Sequence, residues 1–321
     1  MQRIGVLTSG GDTPGMNAAV RSVFKVGSYL GCNVMGIYHG YEGLMNGNIQ
    51  QLSNADVDDI IHKGGTILRT ARSEVFRTDD GIKHAKRVLD AFGIQAVVCI
   101  GGDGTLNGAK RLSESGVPVI GIPGTIDNDL GYTDFTIGFD TAANSVAKEV
   151  HRIKDTMRSH DRVGVIEVMG RECGDIALFA GVAGGVDFIL LPEQRSSGYQ
   201  AACTQLISNK LKGKLTSIVL IAEGAGSAKD FCDYVKSNSD IDIKPIVLGY
   251  IQRGGTPSMF DRMMATRMGA RAVELLDDGI INRALGWKKN DVHDMDLAEA
   301  LQVPKKFNKQ LYDINNITAR F

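Results

Sequence analysis

Short runs of apolar residues alternate along the chain with longer stretches in which apolar residues recur every three or four positions. The short runs are rich in Val and Ile, as in Ile94–Ile100 and Val117–Ile122, and this is typical of strands buried on both faces of a sheet. The longer stretches have the spacing of amphipathic helices, at 16–30, 79–92, 141–157 and 258–276. The alternation predicts an α/β protein with mostly parallel sheets between helical layers, a three-layer α/β/α arrangement.

Length and composition narrow the class of protein. A chain of 321 residues can bury a large core and is expected to form two domains. A net charge of −1 gives no sign of a nucleic acid or an anionic membrane as partner. Five cysteines without a CxxC pair, and a start that leads straight into a strand, favour a reduced cytoplasmic protein without a signal peptide. From Asp277 onwards the sequence is more polar and its pattern is less regular, and no strand or helix is assigned there.

Two of the predicted strands end in loops that carry both glycine and carboxylate. GGDG at 101–104 follows the first strand, and PGTIDND at 123–129 follows the second. In an open α/β sheet, ligands bind outside the carboxyl ends of the strands. Glycines let a polyphosphate approach backbone N–H groups, and a helix N-terminus adds a favourable dipole. Because carboxylates repel a phosphate unless a cation intervenes, the pattern predicts phosphoryl transfer with Mg²⁺.

A third glycine turn, Gly10-Gly11-Asp12, follows the strand predicted at 3–8. By itself it is a weak signal, since glycine turns occur throughout α/β proteins. It is not a P-loop, because no GK[ST] follows. Together with GGDGT it gains weight, since the backbone N–H of Gly11 could cap a terminal phosphate and Arg72 could bridge its oxygens.

Three carboxylates in these loops are the candidates for metal binding and proton transfer. Asp103 stands between glycines and is expected to hold Mg²⁺, directly or through water. Asp127 and Asp129 are two apart on an irregular loop, and in isolation they would be an ordinary acidic turn. Close to GGDGT, one of them could accept a hydroxyl proton as the phosphate arrives.

Three arginines lie at predicted element boundaries, Arg162, Arg171 and Arg253. A guanidinium group at such a position suits bidentate phosphate recognition, although a lone arginine is usually just solvated. Glu223 ends a buried strand, where an acid could hold sugar hydroxyls.

Five motifs, in order along the chain, resemble those of bacterial ATP-dependent 6-phosphofructokinases. They are SGGDTPGMNAA at 9–19, GGDG at 101–104, PGTIDND at 123–129, VMGR at 168–171 and QRGG at 252–255. The resemblance spans essentially the entire chain and implies a homotetramer of two-domain α/β subunits that phosphorylates C1 of fructose 6-phosphate with ATP. It also implies an ATP-binding domain of residues 1–138 plus 251–301 and a sugar-phosphate-binding domain of residues 139–250 plus 302–321.

The resemblance also implies roles for individual positions. Asp127 would be the general base and Asp129 its supporting acid, with Thr125 near the reacting hydroxyl. Arg72 and Arg171 would stabilise charge on the transferring phosphoryl group. Asp103 would be the metal ligand, and the residues that bind ATP and Mg²⁺ would be Gly11, Tyr41, Arg72, Gly102, Asp103, Gly104, Thr105 and Gly108.

The implied sugar-phosphate site departs from the family pattern at two positions. Lys244 stands where the family has arginine and Tyr250 where it has histidine, and both positions normally help to hold the 6-phosphate. Lysine keeps the charge but loses the forked donor geometry, so weak binding of fructose 6-phosphate is expected. Arg162 would reach the 6-phosphate from a neighbouring subunit. The other implied sugar contacts are Thr125, Asp127, Asp129, Met169, Gly170, Arg171, Glu223 and Arg253.

In the resembled family, an effector site between subunits binds ADP or phosphoenolpyruvate through basic residues. The matching positions here are Arg21, Lys25, Lys154, Gly185, Asp187, Lys212 and Lys214. Arg21 and Lys25 are expected on one exposed stripe of the first helix. Solvated helix and loop cations are an equally good interpretation. Asn54 replaces an arginine, Leu215 replaces a lysine and Asp187 is shorter than the family's glutamate, so weak regulation is expected.

Three other functions remain open at this level. Pyrophosphate-dependent phosphofructokinases carry aspartate at the position of Gly104 and lysine at that of Gly124, so the two glycines favour ATP. NAD and lipid kinases also carry GGDGT, but they lack PGTIDND and QRGG. A catalytically weakened or regulatory homologue is the third alternative, because of the altered sugar site.

Overall fold

The computed structural model describes residues 2–319. The described strands are β1 Arg3–Thr8, β2 Asn33–Ile37, β3 Ile49–Gln51, β4 Ala96–Gly101, β5 Val119–Pro123, β6 Val163–Val168, β7 Phe188–Leu190, β8 Ser217–Ala222, β9 Ile243–Val247, β10 Arg283–Lys288 and β11 Asp291–Asp296. The described helices are α1 Met16–Tyr29, α2 Gly40–Met45, α3 Asn54–Val57, α4 Asp79–Ala91, α5 Asp103–Glu114, α6 Phe139–Ser159, α7 Asp175–Gly184, α8 Gly198–Leu211, α9 Ala228–Asn238, α10 Met259–Asp277, α11 Leu297–Ala300 and α12 Lys309–Thr318.

The chain divides into two units, each with its own sheet. Unit 1 comprises the residues up to Ile126 together with Leu130–Thr141 and Arg253–Lys305, and unit 2 comprises Asp127–Asp129, Ala142–Gln252 and the residues from Lys306 on. Unit 1 contains a seven-stranded sheet in the order β11-β10-β5-β4-β1-β2-β3, and unit 2 contains a four-stranded sheet in the order β7-β8-β6-β9.

The sheet of unit 1 is covered on both faces, as the uninterrupted apolar strands predict. On β4, Val98 and Ile100 belong to a core shared with α1 and α10, whereas Val97 and Cys99 belong to a core shared with α2, α4 and α5. Successive side chains of a strand point to opposite faces, so the two cores lie on the two sides of one sheet. Unit 1 therefore has three layers.

The sheet of unit 2 is entirely parallel. Val163 and Val165 of β6 pack with α8 and α9 on one face. Gly164, between them, approaches Met157 of α6, since a Cβ there would lie 3.0 Å from Cγ of that methionine. Helices thus cover both faces of this sheet too, and the prediction of α/β layers with mostly parallel sheets is confirmed.

The segment after Asp277, for which the sequence pattern assigned no element, contains two strands and two helices among the described residues. β10 joins the sheet of unit 1 beside β5 and pairs with β11 in an antiparallel hairpin. The turn between them is Lys289-Asn290, and both residues have positive φ, as a type I′ hairpin turn requires. The sequence pattern missed the hairpin because its second strand, DVHDMD, is polar and its turn contains no glycine.

Candidate active site

The loops predicted to bind phosphate lie at the middle of the seven-stranded sheet. β1 and β4 are neighbours there, but the next strands, β2 and β5, lie on opposite sides of this pair. Where successive strands diverge in this way, a crevice opens at their carboxyl ends, and ligands of open α/β sheets bind in it. The loop at 9–15 follows β1 and the GGDG turn follows β4, so both flank the crevice.

The PGT turn at 123–125 lies against the GGDG turn, with the two backbones in direct contact. The N–H of Gly124 donates to the carbonyl of Gly101 at 2.9 Å. A Cβ on Gly101 would lie 2.5 Å from the carbonyl oxygen of Ser9, and one on Gly102 would lie 3.2 Å from Cβ of Thr125. The three loops are packed more tightly at Gly101 than any side chain allows, which explains the glycine there.

The start of α5 is open to a ligand. Gly102 is its N-cap and supplies no side-chain hydrogen bond, whereas Thr78 and Ser258 cap α4 and α10 with theirs. A helix start without a side-chain cap presents its first backbone N–H groups, and the helix dipole favours an anion there. A Cβ on Gly104, in the first turn, would meet no atom within 4 Å.

Asp103 is the first residue of α5 and is exposed. Its carboxylate accepts a hydrogen bond from Nδ2 of Asn107, one turn further along, at 3.0 Å. Within residues 2–319, no three His, Cys, Asp or Glu side chains are grouped so as to hold a metal ion. Asp103 therefore acts as a single carboxylate beside the open helix start.

Tyr41 and Gly108, both predicted to bind ATP, set the position of α5. Tyr41 is 5% exposed, its hydroxyl donates to the carbonyl of Thr105 at 2.6 Å, and its ring stacks on Phe76 at 4.0 Å. Burial raises the pKa of Tyr41 well above its usual value. A Cβ on Gly108 would lie 2.6 Å from the Tyr41 ring. The helix can approach the tyrosine only because residue 108 has no side chain.

Thr105 contributes a polar atom at the junction of the loops. The residue is buried, and its Oγ1 has no hydrogen-bond partner among the described residues. A Cβ on Gly10 would lie 3.3 Å from this oxygen. An unsatisfied buried hydroxyl is costly, so a ligand that bonds to it would gain affinity.

The basic loop at 64–72 is attached to β1 and α1 by side chains that sequence reasoning did not single out. Buried Asn17 donates through Nδ2 to the carbonyl of Lys63 at 3.1 Å and accepts from the N–H of Ile67 at 2.8 Å. Oγ1 of Thr70 donates to the carbonyl of Gly10 at 2.6 Å. Arg72 follows this anchor and is exposed. The only signal in the sequence was a polar residue, Asn17, on the buried side of α1.

Arg253 lies against the first glycine loop. A Cβ on Gly11 would be 2.3 Å from Nη1 of Arg253, so the guanidinium occupies the space that a side chain at position 11 would need. Its Nε is buried without a hydrogen-bond partner among residues 2–319. Arg253 was predicted to line the sugar. Its guanidinium lies against Gly11, in the loop that was expected to cap a phosphate.

The PGTIDND loop runs from unit 1 into unit 2. In unit 1, buried Thr136 donates through Oγ1 to the carbonyl of Thr125 at 2.5 Å. Asp127, Asn128 and Asp129 group with unit 2. Both aspartates are half-buried, whereas Asn128 between them is buried and has a φ of +51°.

In unit 2, three loops meet at the carboxyl ends of β8, β6 and β9. The backbone N–H of Met169 donates to Oε1 of buried Gln252 at 3.0 Å, and the N–H of Glu223 donates to the carbonyl of Val168 at 2.8 Å. Oε1 of Glu223 lies 3.5 Å from Nε of Arg171. The predicted sugar contacts Met169, Arg171 and Glu223 are therefore neighbours.

Gly170 belongs to the same group and is required by the backbone. Its φ is +134°, and a Cβ would lie 2.6 Å from the carbonyl oxygen of Cys173. The N–H of Gly224 donates to its carbonyl at 2.9 Å, which ties the loop after β6 to the loop after β8. Both the left-handed conformation and the close contact exclude a side chain here.

The two cations expected at the 6-phosphate lie at the opposite end of β6. Nε of Arg162 and Nζ of Lys244 lie 2.6 Å and 2.8 Å from the carboxylate of Asp242. Hydrogen bonds from Lys244 and from Arg162 lower the pKa of Asp242. A six-residue strand is about 17 Å long, so the predicted sugar residues of unit 2 form two groups. Tyr250, 83% exposed, follows the carboxyl end of β9.

Three of the predicted effector cations, Lys25, Lys154 and Lys214, already have protein partners. Nζ of Lys25 lies 2.5 Å from Oδ1 of Asn54 and 2.5 Å from Oδ1 of Asp58. Arg21 and Lys25 are half-buried, so the expectation of an exposed stripe was wrong.

In unit 2, Lys154 donates through Nζ to the carbonyl of Gly185 at 3.0 Å. Lys214 pairs with the carboxylate of Asp187, whose other oxygen accepts from the N–H of Ile218 at 2.7 Å. Lys212 is exposed. The acid at position 187 is thus engaged within its own unit.

Comparison with known proteins identifies the family. Residues 3–276 match the family described as phosphofructokinase. The chain belongs to the phosphofructokinase family. An ATP-dependent 6-phosphofructokinase of Alkaliphilus metalliredigens is 52% identical over 317 residues, which cover 99% of each chain. One of Clostridium botulinum is 51% identical over 320 residues, which cover 100% of each chain.

Solved structures of phosphofructokinases are similar to this chain as well. The phosphofructokinase of Saccharomyces cerevisiae superposes with a TM-score of 0.88 at 34% identity, over 99% of this chain and 48% of the yeast chain. The chain therefore spans about half the length of that solved relative. The family predicted from the five motifs is confirmed. Among residues 2–319, no helix combines the length and apolar character needed to cross a membrane.

Proposed function

We propose that this protein is a glycolytic phosphotransferase that moves the γ-phosphoryl group of ATP to C1 of fructose 6-phosphate, giving fructose 1,6-bisphosphate and ADP. The observation that carries the proposal is the meeting of three glycine loops at adjacent strand ends beside the uncapped start of α5. Full-length relatives that are about half identical are named as ATP-dependent 6-phosphofructokinases.

ATP would bind along the first glycine loops of unit 1. Gly104 leaves open space for phosphate oxygens, the guanidinium of Arg253 lies against Gly11, and Thr105 has a buried hydroxyl without a partner among the described residues. The first turn of α5 supplies backbone donors to the phosphates. Arg72, just beyond the anchored part of its loop, would contact the phosphoryl group that is transferred.

The residues present fit Mg²⁺ at this site. Magnesium is commonly held by one or two carboxylates together with substrate phosphates and water. Asp103 is an exposed carboxylate at the place where the phosphates would lie. When bound, the metal would neutralise charge on the phosphates, and Asp103 would hold it from the protein side.

Two glycines favour ATP over pyrophosphate. A side chain at Gly104 would project into open space beside the helix start, so an aspartate there would occupy the space of a ligand. At Gly124, a Cβ would already lie 3.2 Å from Cε of Met16 and 3.3 Å from Cγ2 of Ile100. A lysine at that position would require neighbouring side chains to move.

Asp127 would be the general base that takes the proton of the sugar hydroxyl, and Asp129 would support it. Thr125 would lie near the reacting hydroxyl. Arg171, with 78% of its side chain exposed, has the freedom to follow the transferring phosphoryl group. An intact set of these residues argues against a catalytically dead homologue.

Unit 2 would bind the sugar phosphate and unit 1 would bind ATP. Met169, Gly170 and Glu223 of unit 2 would line the sugar. Arg162 and Lys244 would hold the 6-phosphate of a sugar bound by another copy of the chain, because β6 separates them from the sugar-lining group. This arrangement requires self-association of the chain, and the resemblance implies that the assembly is a homotetramer.

The effector site would respond weakly. Lys25, Lys154 and Lys214 each have a protein partner that an anionic effector would have to displace. Asp187 is engaged by the N–H of Ile218 and would be a poor ligand for a bridging metal. The protein is expected in the cytoplasm, with neither a nucleic acid nor a membrane as partner.

The test is a coupled assay of fructose 1,6-bisphosphate formation with either ATP or pyrophosphate as donor. Turnover with ATP and Mg²⁺, with little or none with pyrophosphate, is expected. Comparable rates with both donors would identify a pyrophosphate-dependent enzyme. No turnover with either donor would identify a regulatory homologue and overturn the proposal.

A further inference from the structure

The proposed base and its supporting acid flank a residue to which the proposed chemistry gives no role. Asn128 lies between Asp127 and Asp129, has a φ of +51° and is 1% exposed. Asparagine is one of the few residues besides glycine that adopt this left-handed conformation at low cost. Each aspartate is attached directly to the residue at which the chain takes this unusual conformation, so a rotation there would move both carboxylates.

The side chain of Asn128 is held by a second buried group. Its Nδ2 donates to Oδ2 of Asp175 at 2.9 Å, and Asp175 is 4% exposed. A hydrogen bond to a carboxylate is shorter and stronger than one between neutral groups. Asp175 is the first residue of α7 and belongs to a rigid element rather than to a loop.

A backbone contact accompanies this pair. Sγ of Cys173 lies 3.8 Å from the carbonyl oxygen of Asn128, and Cys173 is also buried. The segment 127–129 is therefore attached to the residues at and just before the start of α7 through both its side chain and its main chain. These contacts lie within unit 2 and explain why the three residues group with it.

We propose that Asn128 and Asp175 are positioning residues, whose hydrogen bond holds the carboxylates of Asp127 and Asp129 in the geometry that phosphoryl transfer needs. The inference rests on the proposed function. Its physical basis is that catalysis by a general base requires hydrogen-bond distance to the reacting proton. A displacement of about 1 Å can cost roughly 100-fold in rate.

The test uses variants that distinguish the effect of the Asn128 side-chain amide from the effect of the left-handed backbone at that residue. Asn128→Gly keeps the left-handed conformation but removes the amide, and Asp175→Ala removes the acceptor without touching residue 128. Asp175→Asn keeps an acceptor oxygen. The matched control is Asn209→Ala, because Asn209 is also buried in unit 2 but lies on α8 and accepts from Gln205.

The expected result is a fall in kcat of about 10- to 100-fold for Asn128→Gly and for Asp175→Ala, with KM for ATP changed less than about twofold. The double variant should be no slower than the slower single variant, because both remove one hydrogen bond. Asp175→Asn should retain at least about a third of the wild-type kcat. Asn209→Ala should lower the melting temperature and leave kcat unchanged.

Hydrogen exchange supplies a readout that does not depend on activity. The amides of 127–129 should exchange at least about tenfold faster in Asp175→Ala than in the wild type, and at the wild-type rate in Asn209→Ala. Unchanged exchange in Asp175→Ala would overturn the inference whatever the enzyme's activity. In an active wild type, a kcat within twofold for Asn128→Gly, or independent effects of the two substitutions, would also overturn it. An inactive wild type would instead refute the proposed function.

Discussion

The two ends of β6 hold their candidate ligand-binding side chains in different ways. At the carboxyl end, backbone hydrogen bonds and the buried amide of Gln252 link three loops. At the amino end, Arg162 and Lys244 share one carboxylate, that of Asp242, near the surface. An exposed ion pair contributes only about 0–1 kcal/mol, so these cations can exchange Asp242 for a phosphate at little cost. The carboxyl end is organised before a ligand arrives, whereas the amino end is adaptable.

The largest effect is expected from the proposed base. Asp127→Ser should lower kcat by about two to four orders of magnitude, because a general base contributes that much to proton transfer. KM should change far less, since the carboxylate need not bind the ground-state substrate. Steady-state kinetics with ATP and fructose 6-phosphate measure both quantities. Asp233→Ser, on the exposed side of α9, is the control. Near-wild-type turnover of Asp127→Ser would refute its role.

The rigidity of the carboxyl end can be broken at a glycine. Gly170→Ala should lower kcat/KM about 10- to 100-fold, because its Cβ would lie 2.6 Å from the carbonyl oxygen of Cys173. Gly213→Ala is the matched control, since Gly213 also has a positive φ but no atom lies within 4 Å of its Cβ position. Both variants should lose some stability, and only Gly170→Ala should lose kcat/KM. Equal kinetic losses would contradict the proposed difference.

Restoring the family's residues tests the sugar-phosphate site at both ends, because Lys244 lies at the adaptable amino end and Tyr250 follows the carboxyl end of β9. Lys244→Arg together with Tyr250→His should lower KM for fructose 6-phosphate about tenfold, because charge-assisted hydrogen bonds contribute about 1.5–3 kcal/mol each. The KM for ATP should stay constant and serves as the internal control. An unchanged or higher KM for the sugar phosphate would mean that Asp242 and the existing cations already form an adequate site.

The buried carboxylate of Asp261 and the exposed carboxylate of Asp242 should affect the free energy of unfolding in opposite ways as pH changes. Burial raises the pKa of Asp261 from 3.8 to about 6, although it accepts hydrogen bonds from Gly138 and Thr141. Since its folded pKa exceeds the unfolded one, its stabilising contribution is full below about pH 4 and is lost as pH rises through 6. Roughly 1 kcal/mol should disappear between pH 5 and 8. For the exposed Asp242, whose pKa is lowered, the small contribution is lost as pH falls.

Chemical denaturation at pH 5 and pH 8 measures this difference as a change in the free energy of unfolding. Asp261→Asn should remove the pH-dependent part, whereas Asp242→Asn should leave it in place. A wild-type slope that persists in Asp261→Asn would mean that another group titrates in this range.

The smallest effect is expected from regulators. Phosphoenolpyruvate at about millimolar concentration should change the rate less than about twofold, because an effector has to displace the partners of Lys25, Lys154 and Lys214 before it can favour one state. Rate against fructose 6-phosphate should stay nearly hyperbolic with and without the effector. A strongly sigmoidal curve that ADP relieves would show that the remaining cations form a working effector site.

The hydrophobic pattern of the sequence predicted the strands and helices that are apolar and regularly spaced. The buried strands β4 and β5 and the helices α1, α4 and α10 were recognised within a few residues because burial on a defined face imposes a period. β11 was missed because it lies at the edge of the sheet, where polar residues are tolerated. The glycine loops were recognised because a strand followed by glycines and a carboxylate is a local signal.

The side chains that hold these loops were given no such role from the sequence. Asn17 bonds to a backbone carbonyl 46 residues away, Asn128 to a side chain 47 residues away, and Gln252 to a backbone N–H 83 residues away. A buried hydrogen bond of this kind depends on the mutual placement of two elements, which no local pattern encodes. The contact between Arg253 and Gly11 of the first glycine loop is also one that no local pattern encodes.

The sequence by itself determined the class of fold, the strand ends that carry glycine and carboxylate, and the family, because each depends on residues that are close along the chain. The tertiary structure alone decided which strand ends are neighbours, that Arg162 and Lys244 lie a strand's length away from Met169, and that their charges meet on Asp242. Those facts depend on parallel strand order and register, which bring residues distant along the chain together and separate others that belong to the same predicted site.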